Sequence, residues 1–153
     1  MSRLYFDQNA TTSQSESVTA AMVEAMTTGW ANPSSIHRSG QEARRQVELA
    51  RARVSALIGA DPKELVFTSG GTESVNTAIR SLLQERGQRC VVLTSAVEHS
   101  AVREQMEVLG CDGIECVHLG MDAAGRVDPA SLESLIAERG DDIAMVSVMW
   151  ANN

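Results

Sequence analysis

From residue 65 onward, short apolar runs alternate with segments of helical periodicity, and this alternation restricts the fold more than any other feature of the sequence. The predicted strands are 65–68, 90–95, 114–119 and 143–149, and the predicted helices between them are 72–86, 100–109 and 129–139. Strands that alternate with helices are typical of a mainly parallel sheet with helices on both faces. The strands are almost continuously apolar, as expected where both faces of a sheet are buried. The predicted fold class is therefore α/β.

The residues before this alternation predict helices joined by loops. A short strand is predicted at 4–6, and Ser13 and Glu16 have the spacing of a capping box at the start of a first helix. A second helix is predicted at 41–58. Residues 61–64 combine an N-cap aspartate, a proline at N1 and a glutamate at N3, so we expect a brief helical turn there.

The composition excludes several classes of function. A hydrophobic fraction of 43% is enough for a core, whereas a net charge of -7 argues against binding to the backbone of a nucleic acid. No apolar run reaches the length of a membrane span and the N-terminus does not resemble a signal peptide, so we expect a cytoplasmic protein. Cys90, Cys111 and Cys116 form no CxxC pair, which predicts neither a disulfide framework nor a metal site. Cys90 is expected to be a small core residue.

Polar residues follow three of the predicted strands. The three clusters are 69–72 (SGGT), 98–99 (EH) and 150–153 (WANN). Since ligands of such sheets bind beyond the carboxyl ends of the strands, we expect these clusters to lie near one another and to form a binding site.

The chemistry of these clusters favours a phosphorylated aromatic cofactor. Gly71 and Thr72 offer backbone N–H groups and a hydroxyl to a phosphate at a helix N-terminus, although a tight turn that uses glycine for its φ angles remains an alternative. A histidine such as His99 can stack on a flat ring or move a proton, but on its own it is more often a helix-start or packed residue. Asn153 can donate a hydrogen bond to a ring substituent. The triphosphate pattern GxxxxGK(S/T) and the dinucleotide pattern GxGxxG are both absent.

Five stretches together resemble one known family. They are YFDQNATT (5–12), NPSSIHRSG (32–40), ADPKELVFTSGGTESVN (60–76), EHSAV (98–102) and VMWANN (148–153). In this order and spacing, the chain resembles the N-terminal part of cysteine desulfurases, which are pyridoxal 5'-phosphate (PLP) enzymes of the class V aminotransferase superfamily. The resemblance covers essentially the whole chain, and NPSSIHRSG points to the branch that serves iron–sulfur cluster assembly.

The resemblance assigns cofactor-binding roles to four positions. Gly71 and Thr72 match the pair that binds the phosphate. His99 matches the histidine that stacks on the pyridine ring and takes part in proton transfer, so it is both a cofactor-binding and a catalytic candidate. Asn153 matches the asparagine near the phenolic oxygen of the cofactor.

Two N-terminal segments also match positions of the family pattern, but no step of the reaction is assigned to them. Asn9, Ala10 and Thr11 match the segment that lines the substrate side of the site. Asn32 and His37 match a loop near the entrance.

The resemblance implies that the full-length parent is a PLP-dependent cysteine desulfurase. It would convert L-cysteine to L-alanine and pass the sulfur to an enzyme cysteine as a persulfide, for iron–sulfur cluster assembly or related sulfur delivery. A sulfur-acceptor protein and a second copy in a homodimer are the implied partners. Two alternatives remain: another class V enzyme, such as a selenocysteine lyase or an aminotransferase, and a catalytically inert truncated fragment.

The resemblance also identifies what residues 1–153 lack. They correspond to part of the large PLP-binding domain of the type I PLP fold, with 1–40 as an N-terminal segment and the C-terminal half absent. In the family pattern, the lysine that holds the cofactor and the cysteine that takes the sulfur lie beyond position 153. Lys63, the only lysine, precedes the phosphate turn and does not match, nor does any of the three cysteines. The 153 residues alone are therefore predicted to be inactive.

Overall fold

The computed structural model describes residues 4–152, which form two compact units divided between Phe67 and Thr68. The first unit is helical, and the second contains the sheet. No helix among the described residues is long and apolar enough to cross a membrane.

The first unit contains the helices α1 (Glu16–Thr28) and α2 (Arg38–Ile58). The N-cap of α1 is Ser15, whose side chain accepts a hydrogen bond from Val18 N–H at 3.3 Å, so the predicted capping box at Ser13 is wrong by two residues. The α2 helix begins three residues before its predicted start, because the Nδ1 atom of His37 caps it by accepting from Gly40 N–H at 3.3 Å.

A single 3₁₀ turn, Pro62–Glu64, follows α2 and confirms the turn predicted at 61–64. Asp61 accepts from Lys63 N–H at 2.8 Å, and the Glu64 carboxylate accepts from Asp61 N–H at 2.8 Å. Both orphan donors at the start of the turn are thereby satisfied, as in a capping box.

The two strands predicted in or next to this unit do not form. Residues 4–6 lie outside every strand, and Phe6 is 89% exposed. Residues 65–68 have no regular secondary structure and pair with no strand among the described residues. The Arg51 guanidinium instead lies over the Phe67 ring, 4.9 Å from its centroid, and also donates a hydrogen bond to the Leu65 carbonyl. An apolar run without a neighbouring strand has no ladder to join, and its side chains stay partly exposed.

The second unit is built on a three-stranded parallel sheet. Its strands are β1 (Val91–Thr94), β2 (Glu115–His118) and β3 (Ile143–Ser147), and its helices are α3 (Gly71–Gln84), α4 (Ser100–Cys111) and α5 (Pro129–Arg139), with a 3₁₀ turn at Gly140–Asp142. The order in the sheet is β2-β1-β3, with Leu93 paired to Val117 on one side and to Val146 on the other. The element types from residue 72 onward are therefore as predicted.

Helices cover both faces of the sheet, which confirms the predicted fold class. On one face, α3 and α4 pack against Val92 and Met145. On the other face, Val91 and Leu93 pack with Leu132 of α5. Val91, Val92 and Leu93 are fully buried, and each such side chain contributes about 1.5–3 kcal/mol relative to an exposed one. The central strand β1 therefore carries both cores.

Cys90 is exposed, so its predicted place in the core is wrong. It lies one residue before β1, where its backbone is paired on both sides. Cys90 N–H donates to the Asp142 carbonyl at 3.1 Å, and Glu115 N–H donates to the Cys90 carbonyl at 2.8 Å. The backbone thus extends the sheet while the thiol remains outside it.

Candidate functional site

The loops that follow β1 and β3 are tied together at the carboxyl ends of these strands. Glu98 is 3% exposed, and its Oε1 atom accepts from Ser95 Oγ at 2.5 Å and from Met149 N–H at 2.8 Å. Asn152 Nδ2 donates to the Val97 carbonyl at 2.6 Å. Two of the three clusters that the sequence predicts to meet therefore do so, 98–99 and 150–152.

No sequence pattern assigned a separate role to Glu98 or to Asn152. The bonds that define their roles join residues 51 and 55 positions apart, and no local pattern reports such contacts. The available signal was a charged residue four positions after the end of the apolar strand β1, in the loop at its carboxyl end.

His99 is the N-cap of α4 and is exposed. Its Nδ1 atom accepts a hydrogen bond from Ala101 N–H at 3.1 Å. A ring nitrogen that accepts carries no proton, so the neutral ring holds its proton on Nε2, on the side away from the helix end. His99 therefore presents a flat ring face and an N–H donor outside the helix that it caps.

A groove of about 340 Å³ lies between α3, α4 and the end of β3. Its walls are mainly apolar, with Val75 and Leu82 on the α3 side. Its polar lining includes Glu98 and His99. Ligand pockets commonly combine apolar walls with a few convergent polar groups, and this groove has that character.

The glycines of the Gly70-Gly71 turn are not explained by backbone conformation. Gly70 has φ 169° and ψ 178°, an extended conformation open to any residue, and neither glycine lies in the left-handed region of φ. A Cβ atom built on either one meets no heavy atom of the described residues within 4 Å, beyond its own neighbours. The alternative that glycine is used here for its φ angles therefore fails. Close approach of a ligand to the backbone is a physical reason that remains.

The donors at this turn fit a phosphate. The first hydrogen bond of α3 runs from Ser74 N–H to the Gly70 carbonyl at 3.1 Å, so the N–H groups of Gly71 and Thr72 have no acceptor within the helix. The helix N-terminus adds a partial positive charge. Both glycines and Thr72 are exposed, which leaves these donors accessible to an anion.

The only acidic side chain in the first turn of α3 is engaged with the preceding loop. The Glu73 carboxylate accepts from Ser69 Oγ and from Ser69 N–H, both at 2.6 Å, and these bonds hold the pKa of Glu73 below its ordinary value. Thr68 Oγ1 lies 2.6 Å from Ser74 Oγ and further fixes the loop. The turn is thus held in shape without using the N–H groups of Gly71 and Thr72.

The remaining predicted site residues belong to the first unit or lie outside the described residues. Asn9, Ala10 and Thr11 lie in the first unit and are exposed, in a turn where Ala10 and Thr11 N–H donate to the Asp7 carbonyl at 3.2 and 3.3 Å. Asn153 lies outside the described residues. The roles assigned to these four residues stay predictions.

Comparison with known proteins gives one family for the whole chain. The family model described as aminotransferase class-V matches residues 4–153. Over 154 residues the chain is 41% identical to the cysteine desulfurase NifS of Azotobacter vinelandii, covering all of this chain and 38% of that protein. It is 44% identical to the cysteine desulfurase IscS of Neisseria meningitidis serogroup A over 154 residues, covering 98% of this chain and 37% of that protein.

Solved structures give the same result. A NifS-like protein superposes with a TM-score of 0.89 at 35% identity, covering 99% of this chain and 41% of the other. SspA in complex with cysteine superposes with a TM-score of 0.82 at 28% identity, covering 94% of this chain and 41% of the other. The chain thus spans 37–38% of the length of the two desulfurases named above. Since the family model matches residues 4–153, the chain belongs to the class V aminotransferase family.

Proposed function

We propose that the native gene product is a PLP-dependent cysteine desulfurase and that these residues form part of its cofactor site. The observation that carries the proposal is the Gly70-Gly71-Thr72 turn, where two exposed glycines with no conformational requirement precede accessible helix N–H groups. The position of His99 beside the groove, and the named relatives, which are cysteine desulfurases, support it further.

Each residue has a distinct part in this proposal. The N–H groups of Gly71 and Thr72, with the Thr72 hydroxyl, bind the phosphate. His99 stacks its ring on the pyridine and holds a proton at Nε2. Asn153 donates a hydrogen bond to the phenolic oxygen. PLP supplies an electron sink for the Cα atom of a bound amino acid, which these side chains alone cannot provide.

Asn9, Ala10 and Thr11 are proposed to line the side of the site that receives L-cysteine. One of the solved relatives is described in complex with cysteine, which supports this choice of substrate. The overall reaction breaks the Cβ–S bond of L-cysteine, forms an S–S bond to an enzyme thiol, and transfers the hydrogen of that thiol to the alanine product. The sulfur then passes from the persulfide to an acceptor protein, for iron–sulfur cluster assembly or related sulfur delivery. In this proposal the enzyme is a cytoplasmic homodimer.

Neither the cofactor lysine nor the sulfur-accepting cysteine is assigned to this chain. Lys63 lies within the 3₁₀ turn Pro62–Glu64 of the first unit and is exposed. Burial raises the pKa of the Cys116 thiol, which disfavours the thiolate that the reaction requires. We therefore expect a polypeptide of residues 1–153 to form no alanine from L-cysteine and PLP above a PLP blank. Alanine formation well above that blank would contradict this expectation, and the intact mass of the native product, compared with 16.4 kDa, shows whether further residues exist.

A matched pair of threonine variants tests the phosphate site. Thr72→Val removes the hydroxyl at the turn, whereas Thr77→Val makes the same change at an exposed position further along α3. A hydrogen bond to a charged group is worth about 1.5–3 kcal/mol, so we expect Thr72→Val to weaken PLP binding by roughly 10- to 100-fold. Thr77→Val should bind PLP as the wild type does.

The measurements are PLP titration by absorbance and alanine formation from L-cysteine by the native gene product. Equal PLP affinity in the two valine variants would refute the role of Thr72 in the phosphate site. Absence of alanine formation by the wild type would refute the desulfurase itself, and a faster reaction with L-selenocysteine would favour the lyase alternative.

A further inference from the structure

Glu98 has an environment that packing alone does not explain. Its side chain is 3% exposed, and the two donors on Oε1, Ser95 Oγ and Met149 N–H, are both neutral. Removing a carboxylate from water is costly, and two neutral donors can be served equally by the amide oxygen of glutamine. The buried side-chain oxygen at this position therefore serves as a hydrogen-bond acceptor that joins two segments of the chain.

The hydrogen bond between Met149 N–H and Glu98 takes the place of a backbone hydrogen bond between β3 and β1. β3 ends at Ser147, so the N–H of Met149 lies beyond the strand pairing with β1. The partly buried N–H of Met149 needs an acceptor, and Glu98 Oε1 supplies it at 2.8 Å. The chain after β3 is thus fixed to the loop after β1 by a side chain.

The same carboxylate is directly linked to His99 along the chain. Glu98 immediately precedes His99, the N-cap of α4. Asn152 Nδ2 makes a second tie, to the Val97 carbonyl at 2.6 Å. Val97 and Glu98 are therefore each joined to the segment 149–152 by a hydrogen bond.

We propose that Glu98 is a positioning residue, which sets the placement of His99 relative to the segment after Met149 by tying Met149 N–H to the loop after β1. The inference rests on the proposed function, in which His99 and Asn153 both contact the cofactor. Glu98 itself contacts neither substrate nor cofactor in this scheme; it acts through the two backbone segments that it joins.

The test compares Glu98→Ala and Glu98→Gln with Glu104→Ala in the native gene product. Glu104 is an exposed glutamate of α4, so Glu104→Ala controls for the loss of one charge near the same helix. Three readouts are needed: hydrogen exchange at the Met149 amide, visible circular dichroism of bound PLP, and kcat and KM with L-cysteine.

We expect Glu98→Ala to raise exchange at the Met149 amide at least about tenfold and to lower kcat by about 10- to 100-fold, since a misplacement of about 1 Å can cost this much. The circular dichroism of bound PLP should change in parallel, because His99 no longer meets the ring in the same orientation. Glu98→Gln should restore most of each readout, since its amide oxygen still accepts from Met149. Glu104→Ala should match the wild type.

Two results would overturn the proposal. One is a Glu98→Ala variant that matches Glu104→Ala in all three readouts. The other is faster exchange at Met149 with kcat and circular dichroism unchanged, because the tie would then be structural only. If Glu98→Ala does not fold, two milder variants test the proposal. Glu98→Asp weakens the hydrogen bond from Met149 N–H, and Asn152→Ala removes the one to the Val97 carbonyl. If both variants keep the circular dichroism and the kcat of the wild type, the positioning role of Glu98 is refuted.

The proposed function and this inference fail differently. A wild type that binds PLP but forms no alanine refutes the desulfurase alone, while amide exchange and circular dichroism still decide the role of Glu98. A wild type that binds no PLP overturns both.

Discussion

His99 has two separable roles, and replacing it by asparagine and by alanine distinguishes them. As the N-cap of α4, it accepts the Ala101 N–H through Nδ1 at 3.1 Å. In the proposed function, its ring also faces PLP. Asparagine is among the best N-cap residues but has no ring, whereas alanine neither caps nor stacks.

The expected magnitudes differ for the two roles. Loss of an N-cap side chain costs about 0.5–2 kcal/mol, so His99→Ala should lower the free energy of unfolding by that amount. His99→Asn should change it by no more than about 0.5 kcal/mol, the scale of changes that leave caps and packing intact. Loss of the stacked ring removes about 0.5–1.5 kcal/mol of PLP affinity in both variants, and loss of proton transfer at Nε2 lowers kcat by about 10²–10⁴.

Urea denaturation of the PLP-free protein measures the change in unfolding free energy. PLP titration measures the change in cofactor affinity, and alanine formation measures the change in kcat. His118→Asn is the control, since His118 is an exposed residue of β2 with no assigned role. A His99→Asn variant with wild-type kcat would refute the catalytic role. Equal unfolding free energies for His99→Asn and His99→Ala would refute the capping argument.

Two further predictions concern the scaffold. Leu93→Ala, in the fully buried central strand, should lower the free energy of unfolding by about 2–5 kcal/mol in urea denaturation, and a loss below about 1 kcal/mol would contradict the two-faced burial of β1. Arg139 donates to both Glu115 oxygens at 2.7 and 2.6 Å and holds the pKa of Glu115 below its ordinary value of 4.5. The folded pKa is the lower one, so this stabilisation is present above about pH 4.5 and is lost as the pH falls further. Glu115→Gln should therefore flatten the dependence of stability on pH below about 4.5, and an unchanged slope would show that the pair contributes nothing measurable.

Local signals in the sequence predicted the elements of the second unit well. The start of α5 follows from Asp128 and Pro129, and Asp128 indeed accepts from Ala130 N–H at 3.0 Å. Such signals act within one turn of helix and need no distant partner. The same reasoning failed at α1, where Ser13 and Ser15 offer the same chemistry two residues apart and the local pattern selected the wrong one.

Elements that depend on distant partners were the ones predicted less well. Residues 65–68 have the composition of a strand, but strand formation requires a neighbouring strand, and the described residues supply none. The exposed Cys90 shows the same limit, because burial at a strand start depends on what packs there. Sequence patterns singled out His99 and the glycine turn as candidates, whereas the hydrogen bond from Met149 N–H to Glu98 depends on a contact across 51 residues.

The strand order gives a reason for the position of the site that is independent of any motif. The chain passes from β1 to β2 on one side and then crosses to β3 on the other side of β1, so its direction reverses between β1 and β3. Accordingly α4 and α5 pack on opposite faces. Open α/β sheets bind ligands beyond the carboxyl ends of their strands at such a reversal. The loops that meet there hold His99 and the chain that continues to Asn153. Topology and sequence motif thus select the same edge of the sheet, and Glu98 is the side chain that joins its two halves.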